Sequence, residues 1–262
     1  MNAGGGKTVL ITGASAGIGL ELARLFAADG YGLVLVARSR GRLEEVAAEL
    51  KAAHSVEARV LAKDLSRPEA AEEVHGEVSA AGLRIDVLVN NAGVGAYGLF
   101  VETDWERDLE MLRLNVMALT ALTKQFARDM AARHAGRILN VASTAAFQPG
   151  PMMAVYYATK AYVLSLSEAV NDELRGQGVT VTAFCPGPTR SGFQAAAGME
   201  RARMFRLSVM DSASVARIGY RAVMAGKPVA IAGFLNRIVA FSVRFAPRRL
   251  VTRISRWVAE PV

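Results

Sequence analysis

Cysteine is almost missing from this chain of 262 residues, where Cys185 stands alone. A single cysteine excludes an intrachain disulfide and every zinc site built from several cysteines. The three histidines, His54, His75 and His134, lie far apart and show no ligand spacing. We therefore expect no metal site.

Long apolar runs are also missing. The N-terminal residues lead into only a short apolar run, and nowhere do about 18 consecutive apolar residues occur, the length that a membrane span requires. A secretory signal would need a longer apolar region near the N-terminus. We therefore expect the protein to be cytoplasmic.

The composition is that of a globular protein, with 52% hydrophobic residues, 21% charged residues and 24 glycines. It excludes a disordered tail protein, a collagen-like repeat and a coiled-coil rod. The net charge of +7 is uneven, because residues 234–262 carry +5 and the other 233 residues only +2. Nucleic-acid binders spread their basic charge over a face of the folded domain, so we expect no nucleic-acid partner.

Short apolar, β-branched runs alternate with segments of helical periodicity. Residues 41–53, for example, place Leu43, Val46 and Leu50 on one helical face. This alternation predicts an α/β fold with a doubly wound, Rossmann-type parallel sheet of about seven strands. We expect one domain over residues 1–233 and a basic, amphipathic helical tail over 234–262. The predicted strands are Thr8–Thr12, Gly32–Ala37, Ala58–Ala62, Asp86–Asn90, Arg137–Ala142, Thr180–Phe184 and Pro228–Ala232.

A glycine-rich turn follows the first predicted strand. Gly13, Gly17 and Gly19 have the spacing Gly-x-x-x-Gly-x-Gly, and a helical pattern begins after them. Glycines between a strand and a helix expose backbone N–H groups that can bind phosphates. The alternative is that they are ordinary turn residues.

The second predicted strand ends at Ala37-Arg38-Ser39, where an NAD site would have an acidic residue. A guanidinium can bind the 2′-phosphate of NADP with paired hydrogen bonds, whereas a carboxylate would repel it. We therefore prefer NADP(H) over NAD(H), with Arg38 as the main contact. The alternative is that the arginines here are a solvated helix start.

Four further segments carry polar residues with a common chemistry. Asn90–Gly93 ends the fourth strand, Asn115 lies within a helical pattern, Ser143 follows the fifth strand, and Tyr156 and Lys160 are four residues apart on the next helix. A carbonyl that accepts hydride needs a proton at its oxygen. A free tyrosine has a pKa near ~10, and a neighbouring ammonium is expected to lower it.

With these segments the sequence resembles the short-chain dehydrogenase/reductase family, in its single-domain, NADP-preferring branch, over roughly residues 7–233. The resemblance implies an NADP(H)-dependent oxidoreductase acting on a carbonyl or secondary alcohol. It implies that Tyr156 is the proton donor in reduction, that Lys160 binds the nicotinamide ribose and lowers the pKa of the tyrosine, that Ser143 binds the substrate oxygen and that Asn115 supports a proton-relaying water.

The resemblance also implies a set of cofactor contacts and a homo-oligomer, either a dimer or a tetramer. Two alternatives to the NADP(H) enzyme stay open: an NAD(H) enzyme of the same fold, and a catalytically weak cofactor-binding regulatory protein. The implied cofactor residues are Gly13, Ser15, Gly17, Ile18, Gly19, Arg38, Ser39, Asp64, Leu65, Asn91, Ala92, Gly93, Tyr156, Lys160, Pro186, Gly187 and Thr189.

The segment 191–210 corresponds to the family's variable substrate loop and is rich in methionine and phenylalanine. Such residues form adaptable apolar pockets, so we expect a bulky hydrophobic substrate. The alternative is an anionic or thioester substrate, because Arg190, Arg201, Arg203 and Arg206 lie in or beside the same segment. The expected pocket residues are Phe193, Met199, Met204, Phe205, Leu207 and Met210, with Tyr97, Phe100, Phe147, Met152 and Met153 across the cleft.

The tail has two amphipathic stretches, and we consider two interpretations. Either they pack as a helical pair on the core or on a neighbouring subunit, or they lie in a membrane interface with arginines toward anionic headgroups. The second interpretation predicts a peripheral membrane contact.

Overall fold

The computed structural model describes residues 4–199, 202–203 and 209–261. All seven predicted strands form, and no strand end differs from its prediction by more than one residue. The strands of the main sheet are β1 (Thr8–Thr12), β2 (Gly32–Ala37), β3 (Ala58–Ala62), β4 (Val87–Asn90), β5 (Gly136–Val141), β6 (Val179–Cys185) and β9 (Val229–Ile231).

The main sheet is parallel throughout, in the order β3-β2-β1-β4-β5-β6-β9. The chain winds outward first to one side of β1 and then to the other, so the strand order reverses between β1 and β4. In such sheets a crevice opens beyond the carboxyl ends of the strands at the reversal. A second, two-stranded sheet that the sequence did not indicate pairs β7 (Thr189–Arg190) with β8 (Met210–Asp211).

Helices cover both faces of the main sheet. They are α1 (Gly17–Ala28), α2 (Arg40–His54), α3 (Ala70–Ala80), α4 (Trp105–Leu112), α5 (Leu119–Ala132), α6 (Ala154–Leu174), α7 (Phe193–Ala197), α8 (Ser212–Met224), α9 (Phe234–Ser242) and α10 (Arg248–Ala259). A π-helical turn, Arg113–Ala118, joins α4 to α5, and short 3-10 turns span Thr144–Phe147 and Arg175–Gln177.

The core has one large apolar cluster on each face of the sheet. In β1, Val9 and Ile11 belong to the cluster under α1, α2 and α8, whereas Leu10 belongs to the cluster under α3 and α5. Alternate residues of a strand point to opposite faces, so a strand covered on both sides must be apolar throughout. This explains why the strands were readable from sequence.

A buried polar chain fixes the middle of the sheet to α5 and α6. The Asn90 amide donates to the Thr123 hydroxyl (3.0 Å) and to the Asn140 carbonyl oxygen (2.9 Å), and the Asn140 amide donates to the Ser167 hydroxyl (3.0 Å). Buried side-chain hydrogen bonds favour one arrangement of the elements they join, and here only the Asn90 oxygen lacks a partner within this network. The chain thereby positions the ends of β4 and β5, where the candidate site begins.

The tail is helical, as predicted, and the inner face of α10 packs against the rest of the chain. Val251, Ser255 and Ala259 are buried on that face. The Tyr97 hydroxyl donates to the Ala259 carbonyl (2.7 Å), so α10 contacts the loop after β4. Among the described residues, no helix is long and apolar enough to span a bilayer.

Candidate active site

The turn between β1 and α1 is built for close approach of a ligand. Gly13 and Gly17 adopt left-handed backbone conformations (φ +66° and +56°) that side chains disfavour. A Cβ at Gly19 would collide with the Gly13 carbonyl oxygen, so glycine lets α1 pack tightly on the turn. Ala16, the N-cap residue, has no side chain that could cap the helix. The amino end of α1 therefore fits an anionic group such as a cofactor phosphate.

Thr12 holds this turn against the end of β4, and sequence reasoning missed its role. Its hydroxyl accepts hydrogen bonds from the backbone N–H groups of Asn91 and Ala92 (3.0 Å each). The Asn91 amide in turn donates to the carbonyls of Thr12 (2.9 Å) and Gly13 (3.2 Å). A hydroxyl at the end of an otherwise apolar strand was the available signal.

Arg38 lies at the far end of the crevice, where Ser15, Ser39, Asp64 and Leu65 join it in lining a second cavity. Its exposed guanidinium pairs with Glu110 (3.3 Å). Burial opposes ionisation of Asp64, but hydrogen bonds from Ser66 and the charge of Arg38 hold the pKa of this carboxyl below its usual range. Five of the predicted cofactor residues therefore come together at this end.

Tyr156 and Lys160 project from α6 into the same cleft, with the lysine nitrogen 5.8 Å from the centroid of the tyrosine ring. The ammonium donates to the Val141 carbonyl at the end of β5 (2.8 Å). Lys160 is only 5% exposed, and burial lowers its pKa to about 8.

The phenol of Tyr156 is a weaker acid than the sequence suggested. Burial raises its pKa to about 12, against the lowering effect of a hydrogen bond with Ser143. The sequence predicts that the lysine lowers this pKa. In the protein alone, the cost of placing a phenolate in a buried site is the largest influence, and the only lowering influence comes from Ser143.

Ser143 lies just after β5, at the start of the 3-10 turn Thr144–Phe147, and it lines the cleft. Its hydroxyl caps the following 3-10 turn by accepting from the Ala145 N–H (3.1 Å), and it also approaches the Pro186 carbonyl (3.4 Å). It also lies close enough to the Tyr156 phenol to lower the pKa of that group. The cap fixes the serine rotamer that faces the tyrosine.

Asn115 lies in the π-helical turn, a local irregularity often found at functional sites. Its amide donates to the carbonyl of Val94 (2.9 Å) and the hydroxyl of Thr159 (3.2 Å), and its oxygen accepts from the Val94 N–H (3.0 Å). A Cβ on Gly93 would lie 3.2 Å from the Asn115 oxygen and 3.5 Å from the lysine nitrogen. Asn115 thus lies beside Lys160 and fixes the segment after β4.

Between these groups runs a cleft of about 360 Å³, a volume typical of ligand sites. Most predicted cofactor residues line this cleft or the adjoining cavity at Arg38, while Gly19 supports the turn from behind. The predicted residues that line the main cleft are Gly13, Gly17, Ile18, Arg38, Asn91, Ala92, Gly93, Ser143, Tyr156, Lys160, Pro186, Gly187 and Thr189.

The end of the cleft beside Tyr156 is apolar. Met153, Phe193 and Met199 line it as predicted, and Phe193 stacks obliquely 5.4 Å from the Tyr156 ring. Tyr97 packs on the neighbouring apolar cluster. Its hydroxyl is 3.5 Å from the Met152 sulfur.

Three of the predicted pocket residues lie elsewhere. Phe100 is 66% exposed, Phe147 packs in a separate cluster under β5 and β6, and Met210 packs against the core from β8. Aromatic or methionine character alone could not distinguish these positions. Met204, Phe205 and Leu207 lie outside the described residues.

The comparisons with known proteins agree with this geometry. Residues 7–202 match the family described as short chain dehydrogenase. A human very-long-chain 3-oxoacyl-CoA reductase is 32% identical over 187 residues, which are 69% of this chain and 59% of that protein. This chain therefore spans about three fifths of the length of the human relative.

Two solved structures are similar over nearly the whole chain. A short-chain dehydrogenase from Sphingobium yanoikuyae in complex with NADPH has a TM-score of 0.83 and 35% identity, with 91% of this chain and 93% of the other covered. A bulky-bulky ketone specific alcohol dehydrogenase from Comamonas testosteroni has a TM-score of 0.78 and 31% identity, with 94% and 93% covered. On its sequence, its doubly wound sheet and its cleft, the protein belongs to the short-chain dehydrogenase/reductase family of oxidoreductases.

Proposed function

We propose that the protein is an NADP(H)-dependent oxidoreductase that interconverts a bulky, apolar ketone or aldehyde and its alcohol. The observation that carries this proposal is the convergence of Tyr156, Lys160 and Ser143 at the apolar end of a cleft that begins at an open helix terminus. The glycine turn would hold the cofactor's phosphates, and Lys160 its nicotinamide ribose. When bound, the nicotinamide supplies the hydride in reduction and accepts it in oxidation.

In reduction, the Tyr156 hydroxyl donates its proton to the substrate oxygen as the carbonyl carbon is reduced. With a pKa of about 12 in the protein alone, the phenol is protonated at neutral pH, so the proton that the substrate oxygen needs is present before reduction. The Ser143 hydroxyl donates a hydrogen bond to the same oxygen and stabilises the charge that develops there. The Lys160 ammonium, held by Val141, favours the phenolate that remains. Asn115 acts as a positioning residue, because its amide is fully engaged on Val94 and Thr159.

The preference for NADP(H) rests on Arg38 and gains support from the NADPH-bound structure named above. We expect Arg38→Asp to lower kcat/KM for NADPH by roughly 10- to 100-fold, since a charge-assisted contact of about 1.5–3 kcal/mol becomes a repulsion. NADH turnover should not fall. Steady-state kinetics with both cofactors measure this change.

Arg40→Asp is the matched control for that experiment. Arg40 is two residues away, exposed, and pairs with Glu44 on α2. The Arg40→Asp variant should leave the ratio of kcat/KM for NADPH to kcat/KM for NADH unchanged. A wild-type enzyme that already prefers NADH, or an equal effect of the two variants, would contradict the assignment of Arg38 to the 2′-phosphate.

The preference for bulky apolar substrates rests on Met153, Phe193 and Met199 at the catalytic end of the cleft. The Comamonas testosteroni neighbour, whose name describes a bulky-bulky ketone substrate, supports it. We expect NADPH oxidation to be at least about tenfold more efficient with bulky aromatic or aliphatic ketones than with small charged ones, because each buried methylene contributes about 0.8 kcal/mol. Absorbance of the reduced cofactor measures turnover.

The opposite order of substrates would remove the apolar-pocket proposal but not the reductase. If no member of a broad carbonyl panel is reduced, the protein would instead be a cofactor-binding regulatory protein.

We also propose a homo-oligomer, supported by the exposed apolar residues Trp105, Met117 and Tyr162 on α4, the π turn and α6. Light scattering of the purified protein gives the number of subunits.

A further inference from the structure

The C-terminal helices expose an unusual number of large apolar side chains. In α9 only Ala240 is buried, and Phe241 is 60% exposed. Exposed apolar groups of this extent mark a surface that another phase or molecule covers. We name this surface the C-terminal face. Its members are Phe234, Leu235, Ile238, Val239, Phe241, Phe245, Leu250, Ile254 and Trp257.

In α10 the apolar residues divide into two adjacent stripes. Val251, Ser255 and Ala259 point inward and anchor the helix. Leu250, Ile254 and Trp257 follow at i, i+4 and i+7 and are each about half exposed. The helix is therefore held by one stripe while the next faces outward.

Arginines flank the C-terminal face. Residues 234–262 contain six of them and one acidic residue, Glu260, which pairs with Arg203 (3.6 Å). Among the described residues, no acidic side chain pairs with any of the six. They are Arg237, Arg244, Arg248, Arg249, Arg253 and Arg256.

We infer that the C-terminal face docks on the surface of an anionic lipid bilayer. Apolar side chains on short helices can enter the boundary between headgroups and acyl chains, while arginines bind lipid phosphates. Helices of nine and twelve residues are too short to cross a bilayer, so the contact is peripheral. In the part of the chain that the structure describes, no acidic side chain neutralises these six arginines, and unpaired positive charge matches an anionic surface. This is why we choose a membrane over a second copy of this equally basic chain.

The same helices touch the catalytic cleft. Arg203 donates to the Trp257 carbonyl (3.2 Å) and its guanidinium lies 5.1 Å from the Trp257 ring, so α10 contacts the substrate loop. Ser255 of α10 lies close enough to the Tyr157 phenol to lower its pKa, and the Asn236 side chain of α9 lies against Gly187. Docking would therefore bring the cleft close to the bilayer. If the proposed function holds, apolar substrates could enter from the lipid, where they accumulate.

Vesicle co-sedimentation of the full chain tests the docking. The probes are phosphatidylcholine vesicles and a roughly three-to-one mixture of phosphatidylcholine with anionic phosphatidylglycerol. We expect the wild type to sediment with the anionic vesicles and less so at high salt. Phe241→Ser combined with Phe245→Ser should weaken binding about tenfold or more, because each exposed ring loses its transfer into the interface.

Two triple variants with the same loss of charge separate local from global electrostatics. Replacing Arg249, Arg253 and Arg256 by glutamine should weaken binding about 100-fold, from about 1 kcal/mol per arginine. Replacing the exposed residues Arg59, Arg175 and Arg217 by glutamine should change binding to the anionic vesicles by less than about twofold. These three residues lie on β3, after α6 and on α8, outside the C-terminal face. Circular dichroism checks that each variant is folded.

No binding of the wild type to anionic vesicles, or an equal loss in both triple variants, would overturn the proposal. So would a phenylalanine double variant whose mass by light scattering falls to that of a smaller assembly, because the face would then be a contact between copies. Sedimentation needs no turnover. Reduction of a water-soluble ketone without vesicles therefore tests the proposed reductase independently of the docking.

Discussion

Replacing Tyr156 by phenylalanine is expected to lower kcat for carbonyl reduction by on the order of 10³-fold, because the variant has no proton to give to the substrate oxygen. The ring, its contact with Phe193 and the shape of the cleft are kept. The affinity for NADPH should therefore change little. Single-turnover oxidation of NADPH, with cofactor binding followed by fluorescence, separates the two effects.

Tyr157→Phe is the matched control. Its ring lies 6.2 Å from that of Tyr156, and burial raises the pKa of its phenol as well, yet its hydroxyl lies near Ser255 of α10. We expect kcat within a few fold of wild type. If Tyr157→Phe lost as much activity as Tyr156→Phe, the choice of proton donor would be wrong.

These two tyrosines also show how far the sequence could lead. Helical spacing placed Tyr156, and not Tyr157, four residues before a lysine, and the structure directs both Tyr156 and Lys160 into the cleft. The strands were readable because a sheet covered on both faces must be apolar. Residues at the carboxyl ends of neighbouring strands then had to meet, which is why Asn91, Ser143 and Pro186 lie around one cleft.

Tertiary contacts explain what the sequence could not give. No local pattern indicated that Ser255 and Ala259 of the tail would reach Tyr157 and Tyr97, because those pairs are far apart in the chain. The pKa of Tyr156 depends on how much protein surrounds the phenol, which periodicity does not report. Phe147 could equally have faced the pocket or the core, since both environments favour an aromatic ring.

Replacing Lys160 by methionine is expected to lower activity and raise stability at the same time. The side chain is almost fully buried, and its ammonium donates a hydrogen bond to the Val141 carbonyl (2.8 Å). Its charge would no longer favour the Tyr156 phenolate, so kcat for reduction should fall by about 10²-fold or more. Methionine fills a similar volume without carrying a charge into the interior.

The gain in stability follows from proton linkage. The pKa of Lys160 is about 8 in the folded protein, against 10.5 for an ordinary lysine. At pH 7 that difference corresponds to about 3 kcal/mol of destabilisation, and an unpaired Val141 carbonyl in the variant offsets about 1–2 kcal/mol of it. We therefore expect the free energy of unfolding to rise by about 1–2 kcal/mol, measured by denaturant titration.

The lowered pKa of Lys160 also determines how its contribution to stability changes with pH. Between pH 8 and 10.5 the unfolded wild type binds more protons at this lysine than the folded protein, so this residue's contribution to stability rises with pH. The methionine variant should lack that rise. Wild-type reduction should also decline above about pH 8, as the ammonium is lost. The groups that face it, Tyr156 and Cys185, have pKa values raised by burial to about 12 and stay protonated there.

Lys51→Met is the control, because Lys51 is exposed on α2 and pairs only loosely with Glu57 (3.4 Å). The Lys51→Met variant should change the free energy of unfolding at pH 7 by less than about 0.5 kcal/mol. It should also leave the pH profile of reduction unchanged. A Lys160→Met variant that is less stable than wild type would show that the lysine's contacts outweigh the cost of burying its charge. One that keeps full activity would show that the ammonium has no part in the proton transfer. The combination of lower activity with higher stability is expected of a buried charge retained for chemistry rather than for folding.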